Sequence, residues 1–264
     1  MPKISVYIIA FNEANKIRSA IESVLWADEI LLIDSHSSDG TTEIAQALGV
    51  RVHHVDFDGY GNLRNAALDL CQYDWIFSLD ADERCTPAVR DEIRSITNQS
   101  GSRDLYFVPR RNYFMGRWIR YSGWYPNYRQ PQLFRRGKMR YDALPVHEGF
   151  VSLSNQPPGV LANSVWQFPF RDVGEVLRKA DKYSTLGAKK ISTRKIRPID
   201  VITHALWAFL KHYFFKRGFL DGWPGFVIAV GNFEGTFYRY LKAMESTRSV
   251  DWEEPRQDPV RREY

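Results

Sequence analysis

The sequence predicts an α/β fold: a mostly parallel sheet made from alternating strands and helices, followed by a helical C-terminal appendage. Three observations carry this expectation. Apolar, β-branched runs alternate with helix-period segments through roughly the first hundred residues. Each run ends on small, acidic or amide side chains, and beyond residue 165 the pattern becomes helical, basic and aromatic.

Residues 4–10 form an almost unbroken apolar run, as a strand buried on both faces requires, and 14–25 carry Ile17, Ala20, Ile21, Val24 and Leu25 at helical spacing. The unit repeats. Residues 29–34 read as a second strand, Asp39-Gly40 opens a helix over 41–48, Gly49 closes it, and 50–55 read as a third strand. Residues 62–71 are helical, 75–79 form a strand that ends directly on acidic residues, and Thr86 with Pro87 caps a helix running to about residue 97. From 105 to 151 short strands rich in Arg, Tyr and Trp alternate with turns at 125–127 and 136–137, closing the same domain. After a loop at 155–159, residues 173–192 and 199–217 are predicted helices. On the second, His204, Lys211, His212 and Lys216 take one side, and Leu206, Phe209, Leu210, Tyr213 and Phe214 the other. An aromatic segment covers 226–241. The expected organisation is a domain at 1–165, a helical region at 166–245 and a charged, disordered tail at 246–264.

Of 264 residues, 44% are hydrophobic, 25% charged and 14% aromatic, which excludes disordered, collagen-like and coiled-coil classes. Cys71 and Cys85 are the two cysteines, and neither has a partner at disulfide-scaffold or zinc-ligand spacing. The apolar run at 4–11 is too short for an export signal, so a cytoplasmic protein is expected. No stretch reaches the roughly 18 uncharged apolar residues of a spanning helix; residues 222–233, the longest uncharged run of the C-terminal third, contain Pro224 and three glycines. The net charge is +5, yet residues 171–245 alone hold 14 Lys and Arg against 7 Asp and Glu. The basic excess therefore belongs to the helical region.

Asp80-Ala81-Asp82-Glu83 follows an apolar strand, at the edge where open α/β sheets bind ligands. Carboxylates two apart there suit one Mg²⁺ or Mn²⁺ that also holds phosphate oxygens. Three further strand ends converge on the same edge in a parallel sheet: 10–13, with Phe11, Asn12 and Glu13; 34–41, with Asp34 and Asp39; and 59–65, with Arg64. Singly, each fits a structural role: Asp39 a helix cap, Gly59 and Gly61 a tight turn, Arg64 a surface charge. Together they outline a nucleotide crevice in which Arg64 faces a diphosphate.

In order and spacing, residues 4–13, 34–41, 61–65 and 80–82 resemble the signature segments of the family 2 inverting glycosyltransferases with a GT-A fold. Residues 129–136 and 141–148 resemble the narrower branch of lipopolysaccharide-core β-glucosyltransferases. The resemblance implies a GT-A type, Rossmann-like sheet. It places Phe11 and Glu13 near the nucleotide base, Asp34 and Asp39 in the nucleotide loop, Arg64 near base or diphosphate, Asp80 at ribose or metal, Asp82 on the metal, and Glu148 as the base. One departure stands out: many members carry Asp-Asp at the second strand's end, the second contacting uracil, and this chain has Asp34-Ser35.

The expected chemistry is transfer of a sugar, glucose in the narrower branch, from a nucleotide diphosphate sugar, foremost a UDP-sugar. The acceptor is a lipid-linked saccharide such as an inner-core heptose. The leaving diphosphate is stabilised by the cation and Arg64, while a carboxylate takes the acceptor proton in one inverting displacement. Glu148 is the candidate, with Asp142 in reserve. Arg135 and Arg136 are candidates for donor diphosphate or acceptor phosphate, and Trp118, Trp124 and Tyr125 for stacking on sugars. The basic-aromatic helices either bind an anionic membrane surface or pack on the domain. No nucleic-acid module is present. A sugar nucleotidyltransferase would need a Gly-rich, Lys-containing loop where Phe11-Asn12-Glu13 stands; a non-catalytic surface-binding protein would not need Asp80, Asp82 and Glu148.

Overall fold

In the computed structural model, which describes residues 2–126, 128, 130–142, 149–193 and 196–246, the apolar N-terminal run forms β1 (Ile4–Ala10), buried along its whole length. The predicted alternation follows: α1 (Ala14–Glu22), β2 (Glu29–Asp34), α2 (Thr41–Ala47), β3 (Arg51–His54), α3 (Tyr60–Leu70) and β4 (Trp75–Asp80). Gly49, at φ 77°, takes the left-handed turn that ends α2 and returns the chain to β3. A two-residue strand, β5 (Glu83–Arg84), precedes α4 (Pro87–Asn98), whose first turn holds Pro87 and whose Thr86 hydroxyl accepts from the Val89 amide at 3.2 Å.

The short strands of the next stretch are β6 (Leu105–Phe107), β7 (Arg110–Phe114), β8 (Arg117–Trp118), β9 (Leu133–Arg135), β10 (Met139–Tyr141), β11 (Phe150–Ser152), β12 (Gly159–Val160) and β13 (Val165–Gln167). The main sheet runs β12-β6-β9-β4-β1-β2-β3. Its centre, β4-β1-β2-β3, is parallel, and β9 lies antiparallel beside β4. Side chains alternate across β1. Val6 and Ile8 join a core with Ile17 and Ile21 of α1 and Val89 and Ile93 of α4, whereas Tyr7 and Ile9 join a second core with Leu63 and Ala67 of α3. A smaller sheet, β5-β13-β7-β8, begins where the acidic loop after β4 ends. All of this belongs to one unit, Met1–Arg120 with Trp124–Pro169.

The other unit comprises Tyr121–Gly123 and Phe170–Tyr264. Asp172 caps α5 (Val173–Ile191) by accepting from the Glu175 amide at 2.7 Å. The helix predicted over 199–217 is divided: α6 (Pro198–Leu210) passes into a π-helical turn (Lys211–Phe215), then a 3₁₀ turn (Gly218–Asp221), before α7 (Trp223–Ser246). The widened turn breaks the 3.6-residue register from Lys211 onward. Val201 and Ala205 are the buried stripe of α6, packed in a core with Ala188 and Ala243. Of the side predicted to be apolar, Phe209 and Tyr213 pack on Phe226, but Leu206, Leu210 and Phe214 are exposed. His204, predicted on the polar side, stacks on Tyr240.

Candidate active site

The chain leaves β1 for β2 and β3 on one side and returns through α3 to β4 on the other. The crevice at the C-terminal edge of an open sheet forms at such a reversal. Register fixes what flanks it: Ala10 pairs with Asp34 and Ile9 with Asp80, so the two carboxylate residues straddle the end of β1, about 10 Å apart at Cα.

The loops after β1 and β2 are interlocked. Asn12, at φ 56°, accepts from the Ser38 amide at 2.9 Å and donates its own amide to the Ser37 hydroxyl at 2.8 Å. The Glu13 amide donates to the Thr41 hydroxyl at 2.9 Å. Asp34 is buried, accepting from the Ser37 amide at 2.8 Å and meeting His54 Nδ1 at 3.3 Å. His54 stacks on His36, which bonds Asp56 at 2.9 Å. Asp39 is a clasp between helix starts, taking the Ala14 amide at 3.0 Å and the Thr41 amide at 3.1 Å. Burial opposes its charge, but the Thr41 hydroxyl and these amides outweigh it and hold the carboxyl below its ordinary range. Phe11 is 60% exposed beside this loop pair. Phe11, Asn12, Glu13, Asp34 and Asp39 are thus brought together at one edge.

Arg64 meets protein rather than presenting its guanidinium at the surface. It is 4% exposed, donating to Asp80 Oδ1 at 2.6 Å and to the Ser78 hydroxyl at 3.1 Å, with the Tyr141 ring 5.6 Å away. Burial disfavours this cation, yet Asp80 more than compensates and holds the guanidinium firmly charged. The Tyr7 and Tyr141 hydroxyls share a hydrogen bond of 2.8 Å in the same buried pocket. Asn65 clasps Tyr141 at both backbone groups, each bond 2.9 Å, and so fixes the start of the segment beyond β10.

Beyond Asp80, Glu83 is fully buried and bonds Arg110, Gln132 Nε2 at 2.8 Å and the Asp80 amide at 3.1 Å. Burial pushes the Glu83 carboxyl up; Arg110 opposes that, and Asp80 and Asp82 add to it. Asp82 receives Gln167 Nε2 at 3.2 and 3.3 Å, and its carbonyl accepts from the Phe168 amide at 2.8 Å. The acidic loop is therefore tied at both ends to the small sheet. Asp80, whose side chain is 27% exposed, and half-buried Asp82 supply hard oxygen donors, the type that Mg²⁺ or Mn²⁺ takes together with phosphate and water. Among the described residues no group of three or more His, Cys, Asp or Glu is arranged to hold a metal.

Four expectations change. Arg135 pairs with Trp75, at the opposite end of β4 from Asp80, roughly 16 Å along the strand. There it stacks on Trp75 at 4.5 Å, and Arg136 lies beside Asp74 at 3.8 Å; an antiparallel strand carries its C-terminal residues away from the parallel edge. Trp124 tilts against Phe114 at 6.0 Å with its carbonyl bonded to Asn112, and Trp118 is stacked upon by Arg111 and Arg120 at 4.5 and 4.7 Å. These rings do packing work. Glu148 lies outside the described residues, within 143–148, the segment joining the antiparallel pair β10 and β11; Asp142 and Gly149 bond across its base at 3.1 Å. Conversely, the sequence reading gave no role to Arg110 or Gln167, nor to Asn65 and Gln132 inside the segments 61–65 and 129–136 that it singled out. Only Asn65 carried a local signal, its adjacency to Arg64.

Residues 5–153 match the family model described as glycosyl transferase family 2. The lipopolysaccharide core biosynthesis glycosyltransferase LpsC of Rhizobium meliloti is 32% identical over 261 residues, covering 92% of this chain and 92% of its own length. An uncharacterized glycosyltransferase of Rickettsia felis is 29% identical over 268 residues, covering 93% and 91%. Among solved structures, glucosyl-3-phosphoglycerate synthase from Mycobacterium tuberculosis, in complex with Mn²⁺, UDP and glucosyl-3-phosphoglycerate, matches at 27% identity and a TM-score of 0.38, over 42% of this chain and 44% of that one.

Proposed function

The chain belongs to glycosyl transferase family 2, and from that premise we propose that it is an inverting, divalent-cation-dependent hexosyltransferase passing glucose from a UDP-sugar to the heptose of a lipid-linked saccharide in lipopolysaccharide core assembly. The observation that carries this reading is the placement of Asp34 and Asp80 on either side of the end of β1, with Asp82 on the loop that follows. Similarity to LpsC along nine-tenths of both chains supports the acceptor class.

In this reading Phe11 offers its exposed ring as a wall for the base, and the interlocked loops holding Asn12, Glu13, Asp34 and Asp39 shape the nucleoside pocket. Asp80 and Asp82 hold Mg²⁺ or Mn²⁺, which when bound supplies Lewis-acid stabilisation of the departing diphosphate. Arg64 acts through Asp80: its guanidinium fixes that carboxylate's direction. Gln167 does the same for Asp82. Glu148 takes the proton from the acceptor hydroxyl as it attacks the anomeric carbon on the face opposite the diphosphate, and the single displacement inverts that centre. The protein works at the cytoplasmic face of an anionic membrane, where lipid-linked acceptors reside.

The test is a thermal-shift panel of UDP, GDP, ADP and CMP with their sugar conjugates, each with and without Mn²⁺ or Mg²⁺. A donor at 100 times its dissociation constant adds about 2.7 kcal/mol of stability. Cation-dependent stabilisation by a UDP-sugar, absent in Asp82→Ala, is the expected result. An equal shift without any cation, or in Asp82→Ala, would overturn the metal assignment, and a larger shift with another nucleotide would overturn the donor.

A further inference from the structure

The side of α6 turned away from its buried stripe is apolar and uncovered. Leu206, Trp207, Phe214, Phe215, Phe219 and Trp223 are each between 47% and 69% exposed. This is not a helix short of a partner, because Val201 and Ala205 already bury the other stripe. Ring contacts gather these side chains into two neighbouring groups within residues 206–226. Trp207 meets Phe215 at 5.4 Å; Tyr213 touches Phe214, Phe219 and Phe226; and Phe226 stacks on Trp223 at 5.3 Å. A soluble monomer rarely leaves so much contiguous apolar area in water.

Charge selects the occupant. Lys211, Lys216 and Arg217 are exposed within this stretch. Of the acids between 198 and 223, Asp200 is bonded to Arg197, and Asp221 is buried against the Tyr121 amide and the Ser122 hydroxyl. A second copy would bring the three cations against themselves. An anionic lipid surface meets both halves of the pattern, headgroups for the cations and acyl chains for the rings.

Geometry limits the depth. No helix of the described residues is long and apolar enough to cross a membrane, and α6 spans about 20 Å. The elbow is also set in advance. Arg217 sits at φ 54°, and a Cβ on Gly218 would lie 2.6 Å from the His212 carbonyl oxygen.

We propose that the face made by α6, the π-helical turn, the 3₁₀ turn and the start of α7 inserts as a monotopic element into the headgroup layer of an anionic bilayer. The rings lie below the phosphates and Lys211, Lys216 and Arg217 lie on them. This rests on the reading of the acceptor as lipid-linked and adds the surface through which the enzyme reaches it.

The experiment uses the full chain with vesicles of phosphatidylcholine alone or mixed with phosphatidylglycerol, read by sedimentation and by quenching of Trp fluorescence with brominated acyl chains. Wild type is expected to sediment with the mixed vesicles and to be quenched, the quenching falling in Trp207→Phe/Trp223→Phe. Phe214→Ser/Phe215→Ser should weaken partitioning about tenfold or more at high salt, and Lys211→Glu/Lys216→Glu should weaken it at low salt. Binding without quenching, no binding to either vesicle, or a concentration-dependent dimer in light scattering that Phe214→Ser/Phe215→Ser abolishes would each overturn the proposal. Transfer to a delipidated, soluble saccharide acceptor separates the two readings. Transfer without insertion sinks the surface and leaves the function standing, whereas insertion without any transfer does the reverse.

Discussion

At the scale of the residue, the proposed reaction divides its chemistry between carboxylates assigned to substrate or cation and groups that hold those carboxylates. Glu148→Gln is expected to preserve cation-dependent donor binding and to abolish transfer, because an amide cannot take the acceptor proton; calorimetry against a transfer assay separates the two, and full transfer in the variant would move the role to Asp142. Arg64 illustrates the second class, a buried cation that meets Asp80, Ser78 and two tyrosines. The cysteines belong to neither class. Burial pushes the Cys71 and Cys85 thiols up to about 12, so both stay protonated and unreactive. Ellman's reagent at about pH 8 should label neither in the native enzyme and both after denaturation; rapid labelling of either in the native state would show that its burial is not maintained.

At the scale of the element, the small sheet is a brace for the acidic loop. Glu83 of β5 and Arg110 of β7 are buried as an ion pair with side chains at most 5% exposed. Removing one partner strands a charge, so Arg110→Leu should cost about 3–5 kcal/mol in denaturant unfolding, while Arg110→Leu with Glu83→Leu should recover much of it. If the double variant is no more stable than the single one, the pair is not what holds the loop. Gln167 of β13 makes the same brace reach Asp82. Residues braced on strands keep their geometry better than residues on free loops, which suits the carboxylates proposed to share one cation.

At the scale of the molecule, the net charge of +5 is concentrated where the apolar rings are exposed, in the helical unit, while the nucleotide-type unit carries the carboxylates. The strand ends, and hence the crevice, were legible in the chain. A strand buried on both faces has to be apolar throughout, so the first polar cluster after residues 4–10, 29–34 and 75–79 marks the sheet's edge. The D-x-D loop and the segments around Asn12, Asp34 and Arg64 were legible for the same reason, each being local. Arg135 and Arg136 were misread because a single sequence does not record strand direction: an antiparallel β9 takes them to the far edge. The faces of α6 were misread because a wheel records which side chains are apolar and not which stripe meets a partner: the small stripe of Val201 and Ala205 is the one that packs, and only from Lys211 onward does the π-helical turn break the 3.6-residue count.

The sequence by itself determined the α/β class, the order of its strands and helices, the acidic loop, and the location of the basic charge, all of which follow from neighbours within a few turns or strand lengths. Only the tertiary structure decided that Asp34 and Asp80 straddle β1, that Arg64 serves Asp80, that Gln167, 85 residues away, serves Asp82, and that Leu206, Trp207 and Leu210 of α6 face outward. Periodicity records that a side chain is to be buried or left at an edge; which partner it meets there depends on sheet register and helix packing between segments far apart in the chain.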